Sequence, residues 1–306
     1  MLTYNNIRFI GVDHGYGNIK TANTVTPTGI IVSDTEPTFK TKTLFYRNRY
    51  YTFGEGHKDF ISDKTSDDEY YAATLMGIAE ELNLEGVSAA DVHICAGLPL
   101  TWVKAQREDF RRYLMKNENV SFFYKDKPYN VHVVNCTVHP QGYAAIVDHI
   151  KDMNGLSMVA DIGNGTINVM YMNGKQPVAT RCYTEKMGVE QAIIAAQNGV
   201  MDNYGDLIDR TVIETFIRTG NANVSTKYFL CLQDSVIRYA DRIMAVLRKY
   251  EYNSELMKLY VCGGGISIIQ HFSEIEDKNV MYIDDVCAGA KGYERIAVKL
   301  AKRVSA

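Results

Sequence analysis

Long apolar runs are absent from this sequence. No stretch of about 18 consecutive apolar residues occurs in it, so no membrane-spanning helix is expected. The first residues, MLTYNNIRF, also lack the order of charge, apolar run and small residues that marks an export signal, which makes the cytoplasm the expected location. A basic surplus is missing too. The 33 lysines and arginines against 36 aspartates and glutamates leave a formal net charge of -3, whereas gripping a nucleic-acid backbone takes a basic face that releases counterions. Direct nucleic-acid binding is therefore not expected, although a local basic patch is compatible with that balance. Cysteine pairing signals are lacking as well. Cys95, Cys136, Cys182, Cys231, Cys262 and Cys287 sit singly among apolar neighbours without a CxxC pair, which fits reduced, buried thiols better than a disulfide framework. No P-loop pattern ending in Lys-Ser/Thr is present, and no glycine turn completes GxGxxG, so the common nucleotide-binding loops are not supported.

What is present is a chain of 306 residues, 46% hydrophobic and 23% charged, long enough for two domains that each bury a core. Residues 158–170 (MVADIGNGTINVM) read as strand, tight turn and strand. An apolar run ends on Asp161, Gly163 and Gly165 permit a turn with φ above zero, and Thr166, Ile167 and Val169 resume the extended pattern. Residues 10–20 (IGVDHGYGNIK) have the same form. Aligning Asp13 with Asp161 also aligns Gly15 with Gly163, Gly17 with Gly165 and Ile19 with Ile167. One hairpin of this kind reads as a plain β-turn; two with aspartate in register suggest two similar halves facing each other across a cleft.

Along the chain, residues 7–12 are expected as a strand with residues 18–23 as its partner, and residues 49–56 as another strand ending in a turn. Apolar residues at helical spacing predict a helix over 69–84, followed by a buried strand over 91–98. Thr101 is the expected cap of a helix over 102–116, whose charged face reads as solvated. A strand over 129–138 then leads through His139, Pro140 and Gln141 into a helix ending at Ile150. Beyond the central hairpin come a strand over 178–183, helices over 188–198 and 212–218, and a long amphipathic helix over 227–250. A strand over 259–262 stops at three glycines, a helix starts at Ile266, a short strand covers 282–283, and a helix covers 288–302. No low-complexity linker separates the parts, so the crossings between domains are expected near residues 143–148 and again around Ala288.

A glycine hairpin tip lets backbone N–H groups converge on an anion, and two such tips can clamp a polyphosphate. Asp13 and Asp161, each closing a strand before its tip, would face that polyphosphate across a divalent cation, since Mg²⁺ prefers few carboxylates together with waters and phosphate oxygens. Lys20 adds a point charge. The Gly263, Gly264, Gly265 turn lacks side chains and so admits a flat ring. Gln141 is neutral and suited to orienting a water without acting as a strong base. His132, Cys136 and His139 have ligand-like spacing but lie in a β-patterned run without a fourth ligand, so no metal centre is expected there.

With these pieces in order, the chain resembles the actin-like ATPase superfamily, and within it the bacterial plasmid-segregation actins of the ParM/StbA type. Residues 13–20 are similar to that superfamily's first phosphate motif, 138–145 (VHPQGYAA) to the first connecting helix and 161–166 to the second phosphate motif. Residues 261–266 are similar to the adenosine motif and 288–293 (AGAKGY) to the second connecting helix. Residues 51–56 and 95–114 (CAGLPLTWVKAQREDFRRYL) resemble the N-terminal domain of the segregation actins. The resemblance implies an α/β actin-like ATPase fold, with two similar ribonuclease-H-like domains around a nucleotide cleft. Domain I would be 1–148, closed by a C-terminal helix 288–306, and domain II 149–287.

For the site, the resemblance implies ATP or ADP with Mg²⁺. Asp13 and Asp161 would hold the metal and its waters, and Gln141 would align the attacking water. Gly15, Tyr16, Gly17 and Asn18, with Gly163, Asn164, Gly165 and Thr166, would contact the phosphates. Gly263, Gly264 and Gly265 would border the adenosine, and Glu190, on the helix after Gly188, would contact ribose or base. Gly289 departs from the asparagine that many actin relatives carry in the second connecting motif. The implied activity is ATP hydrolysis coupled to head-to-tail filaments that segregate plasmid DNA through a separate DNA-binding adaptor of the ParR type. A small-molecule kinase or phosphatase of the same superfamily is the alternative, but such enzymes usually carry an acidic base where Gln141 stands. A chaperone ATPase is not expected, because no substrate-binding domain follows, and residues 297–306 are basic but short for a membrane anchor.

Overall fold

The computed structural model describes residues 1–54, 65, 68–275 and 277–304. In chain order its elements begin β1 (Leu2–Tyr4), β2 (Ile7–His14), β3 (Asn18–Lys20), β4 (Val25–Pro27), β5 (Ile30–Ser33), β6 (Thr43–Tyr46) and β7 (Arg49–Phe53). They continue α1 (Glu69–Leu84), β8 (Ala89–Leu98), α2 (Val103–Leu114), β9 (Asn119–Tyr124), β10 (Lys127–Pro140), β11 (Leu156–Ile162), β12 (Ile167–Asn173) and β13 (Gln176–Glu185). Then follow α3 (Val189–Tyr204), α4 (Arg210–Thr219), α5 (Thr226–Lys249), β14 (Lys258–Cys262), α6 (Ile266–Phe272), β15 (Val280–Tyr282) and α7 (Ala288–Val304). The chain divides into two units, Met1–Asp148 with Val286–Ala306, and His149–Asp285.

The sheet of the first unit runs β4-β3-β2-β8-β10-β9-β6-β7-β5, with β1 added on β2. Period-two alternation along β2 sorts its side chains onto two faces. Ile10 and Val12 enter the core cluster that holds α1, whereas Phe9 packs with Tyr293 and Ala297 of α7 on the opposite face. Helix α1 is apolar nearly all round, as a helix enclosed on all sides must be, and its residues from Tyr70 to Ala79 are buried. Helix α7 instead approaches the sheet backbone to backbone. A Cβ at Gly11 would lie 2.1 Å from the Ala290 carbonyl oxygen, and one at Gly292 would lie 1.9 Å from that of Ala144.

The second unit has the five-stranded order β13-β12-β11-β14-β15. Strand β12 is antiparallel to both β11 and β13, while β14 is parallel to both β11 and β15. The first unit repeats this plan in β4-β3-β2-β8-β10, with the same sense at every corresponding pair. Met158, Ala160 and Ile162 of β11 point into a core shared with α3 to α6, which turns Asp161 to the other face. Helix α5 buries Leu232, Val236, Ala240, Ile243, Met244 and Leu247, the apolar stripe its sequence predicts; Phe229 is half-buried against the same core.

Several boundaries differ from the sequence reading. Residues 141–149 form successive hydrogen-bonded turns, not a helix running to Ile150, and a 3-10 turn follows at Ile150–Asp152. The reason is local: Gly142 takes φ 74°, and Val147 N–H bonds the Ala144 carbonyl three residues back at 3.2 Å. Trp102, not Thr101, holds the N-cap position of α2. Strand β3 ends at Lys20, before the expected Asn23. The expected turn at Glu55 and Gly56, and the expected end of the last helix at residues 305–306, lie outside the described residues. Among the described residues no helix is long and apolar enough to cross a membrane.

Candidate functional site

The alternation of β2 fixes what its end presents. Gly11 and Asp13 share the α7 face, while His14 turns into the α1 side, where its Nε2 lies 2.7 Å from Thr74 Oγ1. Beyond His14 the chain reverses tightly. Gly15 N–H reaches the carbonyls of Asp13 (3.0 Å) and Asn18 (3.1 Å). Thr28 braces the turn from outside, donating its hydroxyl to Gly15 O at 2.8 Å and its N–H to Gly17 O at 3.1 Å. Tyr16 is buried, and burial pushes its phenol up.

Asp13 is the centre of the first unit's site. Its Oδ1 accepts from Gln141 Nε2 at 2.9 Å and from the Tyr293 hydroxyl at 3.2 Å. Its Oδ2 lies 4.0 Å from Lys20 Nζ, and a Cβ at Gly289 would stand 3.7 Å from that oxygen. The structure thus brings Asp13, Lys20 and Gln141 together, although Gln141 sits in the turn that directly follows β10 and not on a helix. Because a carboxylate takes only donors, the Gln141 amide group must face it N–H first, which leaves the amide oxygen as an acceptor.

The second unit builds its tip the same way. Asp161 pairs with Asn168 across β11 and β12, and Gly163 N–H reaches Thr166 O at 2.8 Å. Neither tip uses its glycines as the sequence reading supposed. Gly15, Gly17, Gly163 and Gly165 are not in the positive-φ region. The need at the first glycine of each tip is close approach: a Cβ on Gly15 would meet Asn18 O at 2.6 Å, and one on Gly163 would meet Thr166 O at 3.3 Å.

Two further glycine segments close on this second tip. At the start of α3, Val189 and Glu190 N–H groups bond the Gly163 and Asn164 carbonyls at 3.1 and 2.9 Å, so the helix terminus orients the tip. A Cβ at Gly188 would lie 2.2 Å from Asn164 O, and Tyr239 of α5 holds the Gly188 carbonyl at 2.9 Å. In the triple-glycine turn, Gly263 adopts φ 91°, and a Cβ there would lie 2.7 Å from Asp161 Oδ1. Gly265 N–H bonds Ile162 O at 2.9 Å, while the side-chain direction of Gly264 is open, with nothing within 4 Å. Glu190 is drawn elsewhere: its carboxylate is gripped by both terminal nitrogens of Arg210 at 2.8 and 2.6 Å.

The His132, Cys136 and His139 set does not converge. His132 is exposed between Asp91 (2.9 Å) and Glu118 (3.3 Å), and Cys136 lies in the core, where burial pushes its thiol up to about 12. His139 is stacked on Tyr293, and its burial lowers it to about 4. What the sequence reading missed is on α7 and its bed: Tyr293, Glu294 and Gly97. Glu294 accepts from Gly11 N–H at 2.9 Å, two residues before Asp13. The available signal was the small-residue spacing of AGAKGY, which marks a helix that packs closely.

The donor set fits a magnesium nucleotide in kind. Each tip carries one carboxylate, Lys20 supplies a cation near Asp13, Gly289 leaves side-chain-free surface beside Asp13, and Gly263 approaches Asp161 while the next residue, Gly264, faces open space. Residues 11–143 match the family described as actin like proteins N terminal domain. No curated protein matches the sequence. Among solved structures, an archaeal actin homolog aligns with a TM-score of 0.76 at 19% identity, over 96% of this chain and 100% of its own. A 15-stranded ParM filament from Clostridium botulinum aligns with a TM-score of 0.72 at 18% identity, over 96% and 99%. ParM from Bacillus thuringiensis with ATP aligns with a TM-score of 0.67 at 14% identity, over 97% and 100%. The chain has the actin-like fold of these solved structures, and the family described as actin like proteins N terminal domain matches its residues 11–143.

Proposed function

We propose that this protein binds and hydrolyses ATP as its magnesium complex and assembles head to tail into filaments that segregate plasmid DNA. The observation that carries the reading is the repeated tip: aspartate at the strand end and the same glycine-to-carbonyl closure, once in each unit. In this reading each tip binds nucleotide phosphates. Gly15, Tyr16, Gly17 and Asn18, with Gly163, Asn164, Gly165 and Thr166, line the phosphates, and Gly263, Gly264 and Gly265 border the adenosine. Asp13 and Asp161 hold the magnesium, which when bound neutralises phosphate charge.

The chain's own residues do the rest. Gln141, held by its N–H on Asp13, offers its amide oxygen to a proton of the attacking water and so orients it. Lys20 balances charge beside Asp13 Oδ2. Gly188 keeps the α3 terminus against the second tip, and Glu190 reaches ribose or base only by sharing its carboxylate with Arg210.

Filament formation is supported by the fold shared with the Clostridium botulinum ParM filament, and ATP by the Bacillus thuringiensis structure that carries it. A heterologous head-to-tail contact generates open filaments. With a net charge of -3, attachment to DNA is assigned to a separate adaptor of the ParR type, and the working place is the cytoplasm. Phosphate release from Mg-ATP, followed alongside electron microscopy of the same samples, tests the reading: turnover with filaments supports it. Phosphate transfer to a sugar without filaments would replace it with a small-molecule kinase.

A further inference from the structure

We infer that Tyr293 is a positioning residue for Asp13, fixing which carboxylate oxygen the first tip presents; this rests on the ATPase reading above. The hydroxyl of Tyr293 and the amide of Gln141 both donate to Asp13 Oδ1, at 3.2 and 2.9 Å. Two donors on one oxygen hold the carboxylate against rotation. The other oxygen, Oδ2, is thereby turned toward Lys20 at 4.0 Å and toward the side-chain-free surface of Gly289.

The surrounding sequence is shaped to put that hydroxyl there. Tyr293 is fully buried, so its O–H needs a protein acceptor. It reaches one through a notch in β8, because a Cβ on Gly97 would lie 2.0 Å from the hydroxyl oxygen and 2.2 Å from the ring carbon that bears it. Gly97 shares the α7 face with Cys95, and His139, its partner across β10, stacks on the Tyr293 ring at 6.1 Å and 15°. Gly11 and Gly292 bring the α7 backbone close enough for the ring to reach, and Glu294 ties the same turn to Gly11 N–H. Burying a tyrosine would require any acceptor; here the acceptor is the aspartate that ends the first phosphate tip.

The test is Tyr293→Phe, which keeps the ring and removes only the hydroxyl. A hydrogen bond to a charged group lost from positioning is expected to lower kcat for ATP about tenfold while KM for ATP stays within about twofold. An independent readout is the affinity for a fluorescent ADP analogue measured with Mg²⁺ and with EDTA. The ratio of the two dissociation constants should shrink several-fold in Tyr293→Phe, with the melting temperature close to that of the unsubstituted chain. Gly97→Ala, which displaces the hydroxyl from the opposite side, should reproduce the smaller ratio. Unchanged kcat and unchanged Mg²⁺ ratio in Tyr293→Phe overturn the inference. So does a loss of activity that merely follows a loss of folded protein with the ratio intact. An unsubstituted chain that binds no ADP analogue overturns the ATPase reading and this inference together.

Discussion

Asp13 and Asp161 occupy the same place in their hairpins: Asp13 pairs across the sheet with Lys20, and Asp161 with Asn168, the seventh residue on in each case. The next pairs repeat the register, His14 with Ile19 and Ile162 with Ile167. Such agreement places a carboxylate at the mouth of each turn. It predicts that each is needed for ATP turnover. Asp13→Ala and Asp161→Ala should each lower ATP turnover by roughly 100-fold or more, because each removes a carboxylate expected to hold the magnesium. Phosphate release at saturating Mg-ATP measures it, and a variant that keeps more than about a tenth of the rate would remove that aspartate from the site.

Gln141 touches Asp13 with its N–H, which leaves its oxygen as an acceptor, so its loss should act on the chemical step. Gln141→Ala is expected to reduce kcat about 100-fold with KM for ATP within about threefold. Steady-state kinetics separate the two parameters. A rise in KM with kcat preserved would make Gln141 a binding residue.

Close backbone approach makes specific glycines irreplaceable for folding. A Cβ at Gly292 would meet Ala144 O at 1.9 Å, and one at Gly11 would meet Ala290 O at 2.1 Å. Gly292→Ala and Gly11→Ala should each destabilise the first unit by about 3 kcal/mol, at the upper end of overpacking costs. Gly264→Ala is the contrast, since nothing lies within 4 Å of its Cβ position. Its stability should change by less than about 0.5 kcal/mol, while nucleotide affinity falls because the open surface is filled. Urea midpoints and an ADP-analogue titration check both halves.

Glu294 gives the first unit a pH dependence. Burial pushes its carboxyl up from 4.5 to about 7, partly offset by Gly11 N–H and the α-amino group of Met1, 3.6 Å away, and reinforced by Glu81. With the folded value above the unfolded one, the native state binds more protons between pH 4.5 and about 7. The contribution of Glu294 is therefore full below pH 4.5 and is lost as pH rises through about 7, a swing on the order of 3 kcal/mol. Thermal melts across pH 4 to 8 should show Glu294→Gln flattening this descent. Parallel profiles for the two proteins would mean that Glu294 titrates normally.

How much of this was legible in the sequence depended on how local the cause was. Helix α1 has the bounds its periodicity predicts, because its apolar residues and the strands around it leave one solution. The two tips were visible as aspartate and glycine in register, yet the reason for the glycines was not. None of them has positive φ, and at Gly15 and Gly163 the constraint is a carbonyl across the turn, which no single-strand pattern reveals. Residues 141–149 misled because apolar spacing there is helical, while Gly142 turns the chain with φ 74°. The Tyr293 contact could not be read at all. It joins α7 to β2 and β8 over most of the chain length, through a notch that exists only because Gly97 faces the helix.

The claim that most needs testing is that nucleotide binding at these tips drives self-assembly. Pelleting of the protein at about 20 μM with Mg-ATP, with ADP and with EDTA, across several salt concentrations, addresses it directly. The account predicts sediment with Mg-ATP, little with EDTA, and none with Asp161→Ala under any condition. A chain that stays in the supernatant with Mg-ATP at every salt concentration, while still turning over ATP, would contradict it.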